Sequence, residues 1–240
     1  MFNQQSPFIQ KAPSVTFVMM LVMVALIPGI IAYLYLFGIG VLLNITIAIV
    51  TALFAEYFIL RIRNLPIKIY ITDGSAVVAA TLLALSIPTI APWWIIVIGT
   101  LFTIIVAKHF YGGLGSNLFN PAMVGYAVLL ISFPAIMTKW QLPSSHLLDF
   151  GLSQQLEIFF YGTKSLIDSV SSATPLDFIK TQLFLNKPFE LNFTEGMPLN
   201  SYSNASIIIS LSFLAGGAFM WIKKIITWHL PITFLLSLAL

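Results

Sequence analysis

Cysteine is absent from this chain of 240 residues, and charged residues make up only 8% of it. Without cysteine there can be no disulfide framework, no thiolate metal site and no iron–sulfur cluster held by the protein. Histidine is also scarce. The three histidines lie far apart in the sequence, so no two of them can bind a metal ion from one face of a helix. The sequence therefore predicts no metal site.

The shortage of charge excludes several classes of protein. Soluble domains carry about 25% charged residues, so a cytosolic globular enzyme, a disordered scaffold and a nucleic-acid binder are all excluded. Apolar residues take the place of the missing charge: 59% of the chain is hydrophobic and the mean hydropathy is +0.98. The net charge is +3. It is better explained by basic residues in the loops of a membrane protein than by a surface that binds phosphate groups. This composition predicts a polytopic protein of the lipid bilayer.

Seven apolar runs mark the candidate membrane spans. The first, 16–36, has 21 residues without a charge, enough to cross a hydrocarbon core about 30 Å thick. It is too long for a signal peptide and lacks a small-residue cleavage site, so we expect a retained helix. The others are 41–60, 69–87, 93–107, 122–136, 205–221 and a run from Trp228 to the chain end. We predict an all-α polytopic membrane protein with about six complete transmembrane helices and a truncated seventh.

Basic residues in the short loops fall on one side of these spans; the other four lie in one long segment, 138–204, to which the positive-inside rule does not apply. With a cytoplasmic N-terminus and a change of side at each span, the cytoplasmic loops hold seven of the 11 basic residues. The two short outer turns, after Leu36 and after Pro88, hold none, so the positive-inside rule predicts this orientation. The seven residues are Lys11, Arg61, Arg63, Lys68, Lys108, Lys223 and Lys224.

The segment 138–204 differs from the rest of the chain. It holds 10 charged residues in 67 positions, a density that cannot lie in lipid. We predict a solvated, extracytoplasmic loop that caps the outer face. The domain organisation is then a membrane domain of five spans (1–137), this loop (138–204), and the sixth span with the truncated seventh (205–240).

Two acidic residues lie within or beside the predicted spans. Glu56, near the end of the second span, is either an interfacial carboxylate close to Arg61 and Arg63 or a residue of an ion path. Asp73 precedes Gly74-Ser75 and an apolar run, which is typical of helix capping. An acid at the mouth of an interrupted helix is also a candidate for an ion path. The interfacial and capping interpretations are the simpler ones, and both residues remain candidates for the path.

Glycine, asparagine and proline interrupt the helical pattern at 111–122, which reads YGGLGSNLFNPA. Such backbone cannot be ordinary helix interior, and in lipid it must be buried in protein or line a cavity. Asn120-Pro121-Ala122 is similar to the half-helix motif of water channels, but it occurs once, and its simplest role is to cap a helix. The segments 72–88 and 118–134 both open with a polar cap and close with Ser-x-Pro. This faint repeat predicts a site built by interrupted helices.

Hydroxyl groups are concentrated in DSVSSATPLD, from Asp168 to Asp177. Thr174 follows a small alanine, and the proline after it favours an extended backbone. Such a hydroxyl is a good acceptor for modification but a poor nucleophile, so an external transferase would have to activate it. On physical grounds alone, the simpler interpretation is a Ser/Thr-rich turn that caps a short helix.

The same ten residues resemble the flavinylation motif of the NqrB/RnfD family, whose members belong to Rnf-type electron transport complexes and to the sodium-pumping NADH:quinone reductase. Asp168, Ser171, Ala173 and Thr174 match the motif, whereas Ser169 replaces its usual glycine. The resemblance to the RnfD members extends along nearly the whole chain. The similar stretches are SIPTIAPWW (86–94), AKHFYGGLGSNLFNPAMVGY (107–126), LLISFPAIMTKW (129–140), LAGG (214–217) and WHLP (228–231).

The resemblance implies a function and a cofactor. It implies a membrane flavoprotein subunit of a complex that couples electron transfer between carriers such as ferredoxin and NAD to ion translocation. Thr174 would carry FMN through a phosphoester bond. The implied partners are the other membrane and peripheral subunits and a flavin transferase, and the implied location is the bacterial inner membrane with 138–204 in the periplasm. The chain would be a subunit of a redox-driven translocase rather than an enzyme alone, in a C-terminally shortened form.

Two other functions compete with this one. A small-solute channel or transporter without redox function is favoured by the single Asn-Pro-Ala, the interrupted helices and the faint repeat. The second competing interpretation is an inert subunit that serves only the assembly of a complex. Covalent flavin, visible as a fluorescent band on an unstained denaturing gel, separates the first function from the other two.

The charge count predicts which loops are accessible from outside the cell. Lys164→Cys should react with a membrane-impermeant thiol reagent in intact cells, because 138–204 is predicted to be extracytoplasmic and the chain has no cysteine of its own. Lys223→Cys is the matched control and should react only after lysis. The reverse pattern would invert the predicted topology.

Overall fold

The computed structural model describes residues 13–141, 143, 152–162, 171–172, 180–181, 184 and 199–239. Over these residues the chain is almost entirely helical, which confirms the predicted all-α class. Its elements in chain order are α1 (Val15–Phe37), α2 (Gly40–Ile62), α3 (Ile67–Ile71), α4 (Ser75–Ser86), α5 (Trp93–Leu101), a π-helix (Phe102–His109), α6 (Pro121–Ser132), α7 (Pro134–Met137), β1 (Trp140–Gln141), α8 (Leu152–Tyr161), β2 (Ser171–Ser172), α9 (Leu199–Ile222) and α10 (His229–Ala239).

Among the described residues, three helices are long and apolar enough to cross a bilayer: α1, α2 and the 204–222 part of α9. The hydroxyl of Ser14 caps α1 by accepting a hydrogen bond from the Phe17 N–H at 3.3 Å. Gly38, with φ of 75°, ends α1 in a conformation that favours glycine. The chain therefore turns back within two residues, as the sequence predicts.

Two shorter helices, α4 and α6, share their length and their boundaries. Each has 12 residues, too few to span a bilayer alone. A side chain binds the first N–H groups of each: Asp73, one residue before the N-cap Gly74, accepts a hydrogen bond from the Ser75 N–H at 2.7 Å, and the N-cap Asn120 accepts one from the Ala122 N–H at 3.0 Å. Both helices end at a serine that precedes x-Pro, and they contact each other. The faint repeat thus corresponds to two short, paired helices.

The predicted span at 93–107 is a single helix of mixed type. It begins as α5 and continues as a π-helix from Phe102 to His109. The π-helix is rare, and where it occurs it frequently marks a functional site. Lys108 and His109 lie in its last turn.

Small residues allow the central helices to approach closely. Ala48 and Ala52 of α2 and Ala80 of α4 are fully buried, and Ala76 is nearly so. Such residues are typical of helix interfaces in membranes, because they let the backbones come near one another. In the same way α9 packs against α1, with Gly216 against the backbone of Ala25.

The described parts of the segment 138–204 meet the bundle at one end. The buried side chain of Gln141 donates from Nε2 to the backbone oxygen of Phe37 at 2.9 Å. The Ile39 N–H donates to Oε1 of Gln155, in α8, at 3.3 Å. Strands β1 and β2 pair antiparallel, with Gln141 opposite Ser171. All three elements therefore lie where α1 ends and α2 begins.

The contact between α1 and α9 predicts a difference between two neighbouring glycines. A Cβ at Gly216 would collide with the carbonyl oxygen of Ala25, whereas a Cβ at Gly217 would meet nothing within 4 Å. Gly216→Ala should lower the free energy of unfolding by about 1–3 kcal/mol. The control, Gly217→Ala, should be neutral or slightly stabilising, because alanine favours the helix. Thermal unfolding in detergent measures both, and equal midpoints would contradict this packing.

Candidate functional site

A carboxylate is buried in the interior of the helix bundle. Glu56 follows Ala48 and Ala52 along the face of α2 that packs against α4, and its exposed fraction is 0%. A charge in such a position requires a partner, because an unpaired ion in a low-dielectric interior is very costly. The sequence around Glu56 places it near the arginines at the end of α2, but its partner comes from a distant part of the chain.

That partner is Lys108, at the end of the π-helix. Its Nζ forms a short ion pair with Oε1 of Glu56, and only 2% of the residue is exposed. Lys108 also donates to the hydroxyl of Ser75 at 2.7 Å. The ammonium therefore joins the π-helix to α2 and to the first residue of α4.

The hydrogen bonds continue from Ser75 to Asp73. The Ser75 hydroxyl donates to Oδ1 of Asp73 at 2.6 Å, and the same oxygen accepts the Ser75 N–H. Ser75 is buried, whereas Asp73 is only half-buried. One hydrogen-bonded series thus leads from Asp73 at the rim of the bundle to Glu56 inside it.

His109 completes this group and lies against the same oxygen of Glu56 as Lys108. Its Nε2 lies 3.4 Å from Oε1 of Glu56, and 4% of the residue is exposed. Neither ring nitrogen has a hydrogen-bond partner among the described residues. Its backbone oxygen accepts a hydrogen bond from Arg63 at 3.1 Å. We refer to Glu56, Asp73, Ser75, Lys108 and His109 as the Glu56 cluster.

The arginines that are close to Glu56 in the sequence are not its partners in the structure. Arg61 donates to the hydroxyl of Tyr57 and Arg63 to the backbone of His109, and it is Lys108 that pairs with Glu56. Lys108 consequently does not belong to a cytoplasmic loop, so the count of loop cations falls from seven to six. The capping interpretation of Asp73 is confirmed, because its carboxylate accepts the N–H at the start of α4.

Sequence reasoning missed Lys108, Ser75 and His109 as members of one site. Lys108 is 52 residues from Glu56 and 33 from Ser75, and no local spacing relates them. One signal was available: Lys108 ends an apolar run of 14 residues (94–107) with no charge. A cation so placed needs either water or a buried acid, and Glu56 is an acid within the predicted second span.

The glycine-rich connector is held by its own backbone. Gly112 and Gly113 have φ of 109° and Gly115 has φ of 89°, a region that favours glycine. The Gly113 N–H donates to the backbone oxygen of Lys108 at 3.0 Å and so ends the π-helix. A Cβ at Gly113 or Gly115 would meet nothing within 4 Å, so these glycines serve backbone conformation rather than close packing.

The described part of the predicted modification motif is β2. Ser171 and Ser172 pair with Gln141 and Trp140, and Gln141 is in turn fixed to the end of α1. The acceptor Thr174 and the flanking Asp168 and Ala173 lie outside the described residues. The structure brings Glu56 and Asp73 together near one end of the bundle, while β2 pairs with β1, whose Gln141 contacts the opposite end.

Comparison with known proteins gives a consistent result along the chain. A sequence profile described as the NQR2, RnfD, RnfE family matches residues 2–240. Among curated proteins, the chain is 42% identical to the D subunit of the ion-translocating oxidoreductase complex of Escherichia fergusonii, over 98% of this chain and 70% of that protein. The protein of the same name from Yersinia enterocolitica is 45% identical over 98% of this chain and 70% of its own length. That from Aliivibrio salmonicida is 41% identical over 99% and 71%.

The ion pair predicts a characteristic pattern of stabilities. Lys108→Met leaves Glu56 buried without a partner and should lower the free energy of unfolding by about 3–5 kcal/mol. The double variant Glu56→Gln with Lys108→Met should recover most of that loss, since a neutral pair of similar volume needs no charge compensation. The exposed Lys223→Met is the control and should change stability by less than about 0.5 kcal/mol. Thermal unfolding in detergent checks this cycle, and additive effects of the two single substitutions would contradict the pair.

Proposed function

The chain belongs to the NQR2, RnfD, RnfE family, and from this we propose that it is the membrane subunit of an ion-translocating oxidoreductase complex. In such a complex, electron transfer between soluble carriers such as ferredoxin and NAD drives ions across the membrane. The observation that carries the proposal is the match along nearly the whole chain to proteins named as the D subunit of that complex. Its partners are then the other membrane and peripheral subunits, and the chain works as part of a translocase rather than as an enzyme alone.

We assign a covalent FMN to Thr174. When bound, FMN supplies the redox chemistry, and the protein supplies its position and electrostatic surroundings. The described part of the motif fits this role. Its serines lie in a strand that is paired with β1 and, through Gln141, fixed to the bundle. Asp168, Ser171 and Ala173 would serve recognition by the flavin transferase, which must activate the threonine hydroxyl.

We assign the ion path in this protein to Glu56 and Asp73. Both carboxylates belong to one hydrogen-bonded group that reaches from the rim to the interior. Ionisable groups in this setting are costly and are typically functional. Asp73 can serve both the start of α4 and the ion path. Its Oδ1 accepts the N–H of Ser75, and the residue is only half-buried, so solvent still reaches it.

The location follows from the charge distribution and the family. We propose the bacterial inner membrane, with the N-terminus cytoplasmic and 138–204 periplasmic. The contacts of β1, β2 and α8 with the end of α1 support a common side for these elements. The exposed Arg61, Arg63 and Lys68 near the other end of α2 support the cytoplasmic assignment of that end.

The alternative of a small-solute channel has less support. Its main feature, Asn120-Pro121-Ala122, is explained by capping of α6, since Asn120 accepts the N–H of Ala122. The paired short helices α4 and α6 fit a family of ion translocators equally well.

The flavin assignment predicts the result of removing one hydroxyl. Thr174→Val keeps the branched shape, so folding should survive while covalent FMN disappears and electron flow through the complex falls steeply. Thr174→Ser should keep part of the flavin, and Ser171→Ala should only weaken flavinylation. Mass spectrometry of the peptide spanning 168–180, from cells that supply a flavin transferase, measures the modification. Thr163→Val is the control for loss of a hydroxyl elsewhere in the loop.

An unmodified peptide from a complex with full electron flow would refute the assignment. FMN mass on Ser171 or Ser172 would move the attachment site by two or three residues and leave the function unchanged.

A further inference from the structure

We propose that the Glu56 cluster is a proton relay and that the ion it carries is H⁺. The proposal rests on the ion path assigned above, and it adds Lys108, Ser75 and His109 as members of that path. It also identifies H⁺ as the ion that the Glu56 cluster transports.

The first support is an unbroken series of contacts. It begins at the half-buried Asp73 and passes through the Ser75 hydroxyl (2.6 Å) to the Lys108 ammonium (2.7 Å). Lys108 then forms the ion pair with Glu56. The exposed fraction falls along this series, from partial exposure at Asp73 to 0% at Glu56. The series therefore connects the surface of the bundle with its interior without a gap in the hydrogen bonds.

The second support is that every member can both give and take a proton. A hydroxyl donates through its hydrogen and accepts through its lone pairs, and a carboxylate becomes a donor once it is protonated. A lysine ammonium has three N–H donors, and the amine left after it gives up one proton has a lone pair that accepts another. A backbone carbonyl or an arginine in the series would interrupt transfer, and the series contains neither.

Atoms and charges balance in this proton transfer, and no group is oxidised or reduced. Lys108 gives a proton to Oε1 of Glu56, so that one N–H bond breaks and one O–H bond forms. The Ser75 hydroxyl restores the ammonium and is itself restored by a protonated Asp73. Asp73 then takes a proton from water at the rim, and the net result is one proton moved from the surface to Glu56.

The third support is the unused hydrogen-bonding capacity at the inner end. Oε2 of Glu56 and both ring nitrogens of His109 are buried, and none has a hydrogen-bond partner among the described residues. Buried polar atoms in proteins are nearly always paired. An ion pair with a purely structural role would be expected to use them. In a relay, Oε2 is the second proton site of Glu56 itself, and the group that receives the proton from Glu56 is His109, whose Nε2 lies 3.4 Å from Oε1.

The same geometry disfavours a metal cation. Hard cations require several oxygen ligands, yet Oε1 of Glu56 and Oγ of Ser75 already accept from the Lys108 ammonium. The Lys108 ammonium already places a positive charge between these two oxygens, and Arg63 adds a second one at the backbone of His109.

The relay is tested in the assembled complex, reconstituted in liposomes with a pH-sensitive dye inside. Turnover is driven by reduced ferredoxin with NAD⁺, in potassium medium free of sodium, with valinomycin to remove the membrane potential. The variants are Glu56→Gln and Ser75→Ala, with Ser75→Thr as the conservative rescue. Thr81→Val is the matched control, since Thr81 is a fully buried hydroxyl of the same helix that bonds only to the Val77 backbone oxygen.

We expect the wild-type complex to move protons without sodium. Glu56→Gln and Ser75→Ala should slow that movement by roughly 10²-fold, as expected for loss of a positioned proton-transfer group. Ser75→Thr and Thr81→Val should stay close to the wild type, and covalent flavin should be unchanged in all four. Redox-induced infrared difference spectra should contain a carboxyl band that shifts in D₂O and is absent from Glu56→Gln. This band also tests the role of Glu56 if a variant assembles poorly.

Other results would overturn the relay in distinguishable ways. A requirement for sodium, with uptake of radioactive sodium abolished by Glu56→Gln, would mean that the cluster conducts sodium; the relay fails while the ion path stands. Wild-type proton movement in both Glu56→Gln and Ser75→Ala would remove the path from this cluster altogether. Absence of flavin or of electron flow in the wild-type complex would instead refute the proposed function.

Discussion

The burial of opposite charges inside a largely apolar helix bundle is the constraint on which the rest of this structure depends. Glu56 and Lys108 are almost completely inaccessible, and each is tolerable there only because the other is present. Their contact requires α2, the start of α4 and the end of the π-helix to meet at one point. The alanines of α2 and α4 permit that approach, and the glycine-rich connector ends the π-helix immediately after its cation.

Interrupted helices make such a site possible. Because α4 begins inside the bundle rather than at its edge, its first residue, Ser75, can take part in the cluster. Asp73, just before it, satisfies the free N–H at the start of the helix and at the same time connects the cluster to the surface. A continuous helix through this position would have directed its N–H groups to its own carbonyls and left no such opening.

The Glu56 cluster and strand β2 lie near opposite ends of the bundle, which bears on how the proposed function would operate. The strand of the flavin motif is fixed where α1 ends and α2 begins, whereas Glu56 is near the other end of α2. If electrons enter through a flavin at one end and protons are handled at the other, coupling between them must pass along the packed helices or through neighbouring subunits. The small residues that line α2 between the two ends make it a rigid connection.

The sequence by itself determined the all-α membrane class, the two short helices with their polar starts, and the family, because hydropathy, capping residues and local motifs are properties of short stretches of chain. It also identified Glu56 and Asp73 as unusual. Only the tertiary structure decided what they contact. The sequence favoured nearby arginines for Glu56, yet the partner is Lys108, because burial selects whichever cation the packing brings into the interior and not the one closest in sequence.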